Sequence, residues 1–221
     1  MSLSKSYSIA SIPADGIGPE VIDAAIKVLD SLAETLGSFA LNFTHYDWSS
    51  ETYRKTGEYI PDGGLEQLRN HDAILFGAVG APDVPDHISL WGLRLAICQP
   101  FQQYANVRPT KVFRGTQSPL RNCKTGDLDW VIIRENSEGE AGSAFDITGM
   151  GVANPVASFW TSAEMLAWLG EKDASRKLLD SVERVCEKGI TTADLGGTAK
   201  TVDVTRAVIE DIVANYGKGG K

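Results

Sequence analysis

The stretch YSIASIPADGIGPEVIDAAIKVL, residues 7–29, decides the fold, because it joins the pattern of a strand to the pattern of a helix. Its first part alternates apolar with small polar residues, as half-buried β-strands do. Gly16 and Gly18 then interrupt the strand, and Pro19 begins a helix whose apolar residues recur every three to four positions. A strand followed directly by a helix predicts the first half of a parallel βαβ unit.

The same alternation of strand and helix continues along the chain. The sequence predicts strands over residues 41–48 and 72–79, with a short helix over 61–68 between them. This order predicts an α/β fold, a mostly parallel sheet with right-handed crossovers and helices on its faces. We expect residues 7–13 and 72–79 to be interior strands, since both runs are apolar and end at glycine turns.

The chain beyond residue 80 adds helices and two more strands. The patterns predict a helix over 90–101, strands over 105–113 and 128–135, and helices over 153–169, 174–186 and 202–216. Residues 135–154 have only the composition of a long loop. We expect the four tryptophans of these elements to pack in the core or in an interface rather than form a binding surface. They are Trp91, Trp130, Trp160 and Trp168.

The composition excludes several classes of partner and of binding site. The chain has 221 residues, a formal net charge of −8 and a sequence pI near 4.9. An acidic protein repels phosphate backbones and anionic lipids, so we expect neither nucleic acid nor membrane as a partner. Three scattered cysteines and three histidines give neither a disulfide framework nor the ligand spacing of a zinc site. Since the sequence has no long apolar run, we expect a soluble protein of the cytoplasm.

The glycine turn has two interpretations. Gly16 and Gly18 leave room for a ligand beside the backbone, and the helix start that follows favours an anion such as a phosphate. A plain turn between strand and helix explains the same residues. Val21 stands at the third glycine position of the dinucleotide-binding motif, which favours the plain turn.

Two arginines lie in or after strongly apolar predicted strands. Arg108 belongs to the run ANVRP and Arg134 to the run VIIRE. We expect both strands to be buried, and a buried guanidinium needs an anionic partner. That partner is either a carboxylate of a small substrate, bound through two N–H groups, or Glu135 or Glu138 of the chain itself.

A third motif combines GSAFDI at residues 142–147 with ANP at 153–155. Small residues permit close approach, Asp146 could accept hydrogen bonds from two ribose hydroxyls, and Asn154 could read an adenine edge. A turn at Asp146 and a helix start at Asn154 explain the same residues without a ligand.

Seven motifs, taken in order, resemble those of the β-decarboxylating hydroxyacid dehydrogenases. They are IPADGIGPE (12–20), DAILFGAVG (72–80), DHISLWG (86–92), YANVRP (104–109), RENSEGE (134–140), GSAFDI (142–147) and VANP (152–155). Together they extend over nearly the whole chain, and seven motifs in the right order make a specific signature. The motif DHISLWG is similar to that of the tartrate and D-malate branch.

The resemblance implies an isopropylmalate dehydrogenase-like fold and the chemistry of that family. Its members oxidise a small 2-hydroxy dicarboxylic acid, such as tartrate, D-malate or isopropylmalate, by hydride transfer to NAD. A Mg²⁺ or Mn²⁺ ion then polarises the new carbonyl while CO₂ leaves. A small hydroxy acid is therefore the implied partner.

The resemblance also assigns substrate residues. Arg108 and Arg134 match the arginines that hold the substrate carboxylates. Relatives often carry a further substrate arginine where this chain has Cys98, and Arg94, four residues earlier on the same helical face, is the candidate to replace it.

For the cofactor, the resemblance assigns Gly16 and Gly18 to the nucleotide-binding turn. Asp146 matches the residue that favours NAD over NADP, and Asn154 matches an adenine contact.

The resemblance breaks after EGE (138–140). In relatives a tyrosine follows this run, and a lysine and metal-binding aspartates lie between it and GSA. Here Ala141 stands in the tyrosine position, and the chain continues directly into GSA. We therefore assign no catalytic residue and no metal ligand. Residues 1–103 and 141–221 are expected to form the nucleotide-binding half of one domain, with 104–140 a remnant of the substrate and dimerisation half.

Three interpretations remain for a chain without this block. It has lost catalysis, or it catalyses an altered reaction with its remaining Arg and Asp residues or with the catalytic groups of a partner chain, or it is a non-catalytic nucleotide-binding or regulatory subunit. In the last case it pairs with a full-length homologue, and a homodimer is also open. The first is favoured, because no remaining set of residues evidently holds a metal and delivers a proton.

Overall fold

The computed structural model describes residues 5–103, 105–118, 120–135 and 144–217. β1 (Lys5–Ala14) is the central strand of a three-stranded parallel sheet, with β2 (Phe39–His45) on one side and β3 (Ala73–Ala78) on the other. The predicted parallel sheet is confirmed. The interior position expected for residues 72–79 is wrong, because no described strand pairs with the outer edge of β3.

The connections between these strands are helical. They are α1 (Gly18–Leu36) between β1 and β2, and α2 (Ser50–Thr56) and α3 (Gly64–Leu68) between β2 and β3. The fully buried residues of α1, among them Val28 and Leu32, recur at helical spacing, so one stripe of the helix packs on the sheet. α1 ends at Gly37, whose φ of 63° lies in the left-handed region that glycine adopts without strain.

A helical segment of mixed geometry follows β3. It consists of α4 (Asp86–Ser89), a π-helical stretch (Leu90–Leu95) and α5 (Ala96–Cys98). The segment begins earlier than the predicted helix over 90–101 and ends before Pro100. Proline lacks the N–H that would continue the helix, and this sets its end.

β4 (Ala105–Lys111) and β5 (Asp129–Glu135) form a separate antiparallel hairpin. Arg108 lies opposite Ile132, and Asn106 opposite Arg134. At its base, Lys111 reaches Glu183 at 2.9 Å and so ties the hairpin to the C-terminal helices. The expectation that residues 104–140 are the remnant of a second half stays a prediction.

The C-terminal third is helical, as predicted. Its elements are a 3₁₀ turn (Phe145–Ile147), α6 (Val156–Trp168), α7 (Lys172–Glu187), a second 3₁₀ turn (Ala193–Leu195) and α8 (Thr201–Tyr216). These helices pack with α1 and one face of the sheet in one apolar cluster that includes Phe159, Leu178 and Ile212. A second cluster, which includes Ile12 and Leu93, covers the other face. The N-terminal and C-terminal segments therefore share one core.

Three of the four tryptophans do not follow the sequence prediction of core packing. Trp91, Trp130 and Trp168 are 62%, 56% and 82% exposed, because no described element covers them. Trp160 is partly buried, with its ring centroid 4.6 Å from that of Phe113. The alternative that the exposed tryptophans belong to an interface stays a prediction. Among the described helices, none is long and apolar enough to span a membrane.

Candidate nucleotide and substrate site

The carboxyl ends of β1 and β3 meet at a point where the chain changes direction. From β1 it crosses to β2 on one side of the sheet and later returns to β3 on the other side. In open parallel sheets, ligands bind at the carboxyl ends of the strands at such a switch point. The turn with Gly16 and Gly18 follows β1 here, and Gly80 follows β3.

The two glycines of the turn have different roles. Gly16 has a φ of 59°, in the left-handed region. A Cβ added to Gly18 would lie 2.0 Å from the carbonyl oxygen of Pro13 and 2.9 Å from the amide nitrogen of Ala78. The lack of a side chain at Gly18 therefore lets α1 pack closely against β1 and β3. This packing role supports the plain-turn interpretation at this residue. The ligand role of both glycines stays a prediction.

Asp15 is a buried carboxylate that joins three loops. It is 5% exposed and accepts hydrogen bonds from the amide of Ser50 at 2.7 Å, the hydroxyl of Ser50 at 2.7 Å and the amide of Gly80 at 2.9 Å. The hydroxyls of Ser50 and Tyr59 are also 2.7 Å apart, and burial raises the pKa of Tyr59. Asp15 thus fixes the ends of β1 and β3 to the start of α2. We did not single it out from the sequence, although an acid directly after an apolar strand was a usable signal.

Glu20 connects the glycine turn to the loop that precedes α6. Its Oε1 accepts a hydrogen bond from the amide of Ala153 at 3.2 Å and another from the hydroxyl of Thr201. Phe145 packs in the same apolar cluster as Ala14. The loop that carries Asn154 is therefore held close to the start of α1. The sequence reasoning missed Glu20, because only the fold shows that it faces a loop more than a hundred residues away.

The two residues assigned to the adenosine differ in their surroundings. Asp146 is exposed in the 3₁₀ turn beside Phe145. Asn154 donates to Asp194 at 2.8 Å through Nδ2 and accepts from the amide of Val156 at 3.0 Å through Oδ1. These bonds support the helix-start interpretation of Asn154. Its amide keeps one N–H and one lone pair, so an adenine contact stays a prediction.

Arg108 and Arg134 lie on one face of the hairpin. Asn106, opposite Arg134, is two residues from Arg108 along β4, so the two arginines are diagonal neighbours. The expectation that both strands are buried is wrong: Arg108 is exposed and Arg134 only half-buried. The hairpin lacks a covering layer among the described elements, so its apolar sequence does not become a buried strand. Burial therefore no longer supports their assignment to an anion.

The contacts of the three substrate candidates place them on different elements. Nε of Arg108 donates to Oδ1 of Asn106 at 3.3 Å, and Arg108 also lines a cleft of about 340 Å³ with Trp160 and Glu164 of α6. Arg94 is half-buried in the π-helical stretch and is not part of the hairpin. The alternative partner Glu138 and the side chain of Glu135 lie outside the described residues.

The residues present fit the cofactor and the metal unequally. Gly16 has a positive φ just before the start of α1, and Phe145, next to Asp146, packs against the same apolar cluster as Ala14. These features suit an NAD site, and binding of NAD at them stays a prediction. Within the described ranges, no group of three or more His, Cys, Asp or Glu side chains is placed to hold a metal ion. The expectation that this chain has no ligand for Mg²⁺ or Mn²⁺ stays a prediction.

The family comparison matches the chain in two pieces. The model of the isocitrate/isopropylmalate dehydrogenase family matches residues 8–141 and 138–212. The pieces meet at residues 138–141, where the sequence motifs also lose a block. The junction between Glu140 and Ala141 lies outside the described residues.

Curated relatives show the same gap. A probable tartrate dehydrogenase/decarboxylase of Agrobacterium vitis is 38% identical over 354 aligned residues, which cover 96% of this chain and 99% of the relative. Because this chain has only 221 residues, more than a third of that alignment has no counterpart here. The D-malate dehydrogenase of Escherichia coli is 50% identical over 141 residues, 63% of this chain and 39% of the relative. The tartrate dehydrogenase/decarboxylase of Pseudomonas putida is 49% identical over 62% of this chain and 38% of its own length.

Solved structures agree in fold. Isocitrate dehydrogenase from Methylococcus capsulatus superposes with a TM-score of 0.79 at 19% identity, covering 93% of this chain and 99% of that one. A β-decarboxylating dehydrogenase from Thermococcus kodakarensis gives a TM-score of 0.71 at 22% identity, covering 93% and 96%. At such identities the likeness shows the α/β architecture alone.

Proposed function

We propose, from the premise that the chain belongs to the isocitrate/isopropylmalate dehydrogenase family, that it binds NAD but does not by itself oxidise a hydroxy acid. Its homologues are named tartrate dehydrogenase/decarboxylase and D-malate dehydrogenase, which gives the family-level chemistry. The observation that carries the proposal is the junction at residues 138–141, where two family-matched segments meet without the block between them.

The convergence of loops at the carboxyl end of the sheet supports NAD binding. NAD, when bound, supplies a hydride acceptor. The start of α1 suits its pyrophosphate, because the positive end of the helix dipole favours an anion. Asp146 suits the adenosine ribose, since a carboxylate accepts from both hydroxyls, and it repels the 2′-phosphate of NADP.

Binding of a hydroxy dicarboxylic acid such as tartrate or D-malate is the second part of the proposal. Diagonal neighbours on an antiparallel pair are about 7–8 Å apart, a span that suits two arginines holding a small diacid. Arg108 and Arg134 have this relation. Guanidinium groups bind carboxylates through two parallel hydrogen bonds, which fixes the orientation of the acid. Arg94 would add a third cation from the segment after β3.

The missing block supports the loss of turnover. Oxidation and decarboxylation need a proton donor, a base and carboxylates for the metal. By resemblance these groups lie in the block that this chain lacks, and Ala141 stands in the tyrosine position. A methyl group cannot transfer a proton, and loss of one general acid alone costs about 10²–10⁴-fold in rate. A non-catalytic role beside a full-length homologue stays a prediction.

Titration of the purified chain with NAD and with NADP tests the nucleotide part. We expect NAD to bind and NADP to bind at least about tenfold more weakly, because Asp146 faces the added phosphate with like charge. Asp146→Ala should weaken NAD binding by about tenfold, since hydrogen bonds to a charged group contribute about 1.5–3 kcal/mol. It should also bring the two affinities together.

The matched control is Asp62→Ala, which removes an exposed carboxylate from the loop before α3. It should leave both affinities unchanged. Equal binding of NAD and NADP by the wild-type chain, or an Asp146→Ala chain that binds NAD as well as wild type, would refute the assignment.

A further inference from the structure

A cavity of about 250 Å³ lies between β1, β2 and the first half of α1. It lies beside the carboxyl end of β2, whereas the candidate nucleotide site lies where β1 and β3 end. Of the described residues that line the cavity, none is among those assigned to NAD, which are Gly16, Gly18, Asp146 and Asn154. The cavity is therefore separate from the candidate nucleotide site.

The hydroxyl of Ser11 lies on the wall of this cavity and lacks a hydrogen-bond partner. Ser11 is 0% exposed and lines the cavity from β1. Its side chain lies on the α1 face of the sheet, because side chains alternate along a strand and Ile9, two residues earlier, packs in the cluster that contains α1. Throughout the described ranges, its Oγ is the single buried side-chain oxygen or nitrogen that forms no hydrogen bond. A buried polar group without a partner costs stability, so Ser11 points to a polar atom of a ligand in the cavity.

The remaining wall of the cavity is apolar, and its rim is acidic. The apolar side chains come from β1 and α1: Pro13, Ile22 and Ile26. The exposed residues Asp23 and Asp47 bring two carboxylates, of which Asp23 accepts from Lys27 at 2.6 Å. The described lining includes no lysine or arginine. The rim therefore disfavours phosphates and carboxylates and favours a ligand that donates hydrogen bonds, above all to Asp47.

We propose that this cavity binds a nucleoside without a phosphate, a ligand beyond the NAD of the proposed function. The apolar wall suits the faces of a base, and the Ser11 hydroxyl can donate to a ring nitrogen or accept from an exocyclic amine. The carboxylate of Asp47 suits the ribose hydroxyls, as an acid downstream of the glycine turn does in nucleotide-binding βαβ units. The volume of about 250 Å³ is below the roughly 300–1,000 Å³ of sites for drug-sized ligands. It therefore suits a base with its ribose at the mouth and is too small for a dinucleotide.

Titration of the full chain with adenosine, followed by NMR of the backbone amides of Ile22 and His45, tests the proposal. Adenosine should shift both amides with a dissociation constant below about 1 mM. AMP should bind at least about fivefold more weakly, because its phosphate meets the acidic rim. 2′-Deoxyadenosine should bind about tenfold more weakly, because it lacks a hydroxyl that donates to Asp47. Asp47→Ala should bind adenosine and 2′-deoxyadenosine with the same affinity.

Ser11→Ala separates a ligand role of the hydroxyl from a structural one. The variant should bind adenosine about fivefold more weakly, because the base loses a hydrogen bond. The free variant should be at least as stable as wild type in thermal unfolding, because the change removes a buried hydroxyl that has no partner. The control is Ser6→Ala, at the exposed start of the same strand, which should bind adenosine like wild type.

Asp146→Ala distinguishes this cavity from the candidate NAD site. Adenosine should still shift the amides of Ile22 and His45 in this variant with the wild-type affinity. A loss of these shifts would assign them to the NAD site and overturn the proposal. It is also overturned if adenosine does not shift the two amides, if AMP or 2′-deoxyadenosine binds as tightly as adenosine, or if Ser11→Ala binds adenosine like wild type or unfolds at a lower temperature.

Discussion

At the scale of the residue, Asp15 shows how a single carboxylate organises the carboxyl end of the sheet. Its oxygens accept three hydrogen bonds, two from Ser50 and one from the amide of Gly80. A buried charge is costly unless hydrogen bonds compensate for the lost water, and these three donors do so. The turn after β1, the start of α2 and the loop after β3 are therefore one connected unit.

Asp15→Asn should destabilise the fold by about 1–3 kcal/mol, because the new NH₂ group would face donors and leave a buried N–H unsatisfied. Urea unfolding followed by circular dichroism measures the difference from wild type. Asp62→Asn, on an exposed loop, is the control and should stay within about 0.5 kcal/mol of wild type. Equal stability of the two variants would show that the Asp15 bonds contribute little.

The sequence predicted parts of the residue-scale picture and missed others. The spacing of Gly16, Gly18 and Pro19 was sufficient to predict a strand, a turn and a helix start, since these residues act through local backbone geometry. The roles of Asp15 and Glu20 depend on partners 35 to 181 positions away, which no local pattern contains. Side-chain chemistry at a tertiary contact becomes visible only once the fold is known.

At the scale of the element, the C-terminal helices α7 and α8 are joined by an ion cluster around a buried carboxylate. Asp211 of α8 has a side chain only 2% exposed and accepts from Arg184 at 2.6 Å and Lys188 at 3.1 Å. Burial alone would raise the pKa of Asp211, but the hydrogen bonds from Arg184 and Lys188 outweigh it and hold the pKa below its ordinary value. The cluster links α7 to α8.

The lowered pKa of Asp211 has a consequence for stability against pH. A carboxyl whose pKa is lower in the folded chain stabilises the fold above its unfolded pKa, and this contribution disappears as pH falls through the folded pKa. Asp211→Asn should therefore cost about 1–3 kcal/mol at neutral pH, and the cost should shrink on acidification below about pH 4. Urea unfolding of both chains across this range measures it. A difference that is constant with pH would contradict the ion cluster as its cause.

The element scale also shows where apolar patterns mislead. Residues 72–79 look like an interior strand and residues 128–135 like a buried one, yet among the described residues β3 is an edge strand and the side chains of β5 are largely exposed. An apolar run predicts that a strand is buried in the complete fold. It does not show whether this chain contains the elements that would cover the strand. The helices α1, α6, α7 and α8 were predicted closely, because their apolar stripes find each other within this chain.

At the scale of the whole molecule, the chain combines an intact core with a missing block. One apolar cluster joins α1 to α6, α7 and α8, so segments on both sides of the junction pack together. The family match in two pieces and the motif order agree on the position of the gap at residues 138–141. In our proposal the molecule thus retains the parts that build a nucleotide site, and by resemblance it lacks the parts that perform the chemistry.

An assay for NADH formation tests this account most directly. The purified chain is incubated with NAD, Mg²⁺ or Mn²⁺, and tartrate, D-malate or isopropylmalate, with the D-malate dehydrogenase of Escherichia coli as the positive control. The account predicts no rate above the enzyme-free background with any of the three acids, because the proton donor and metal carboxylates of the family are absent. A metal-dependent rate that disappears on Arg134→Ala would contradict it.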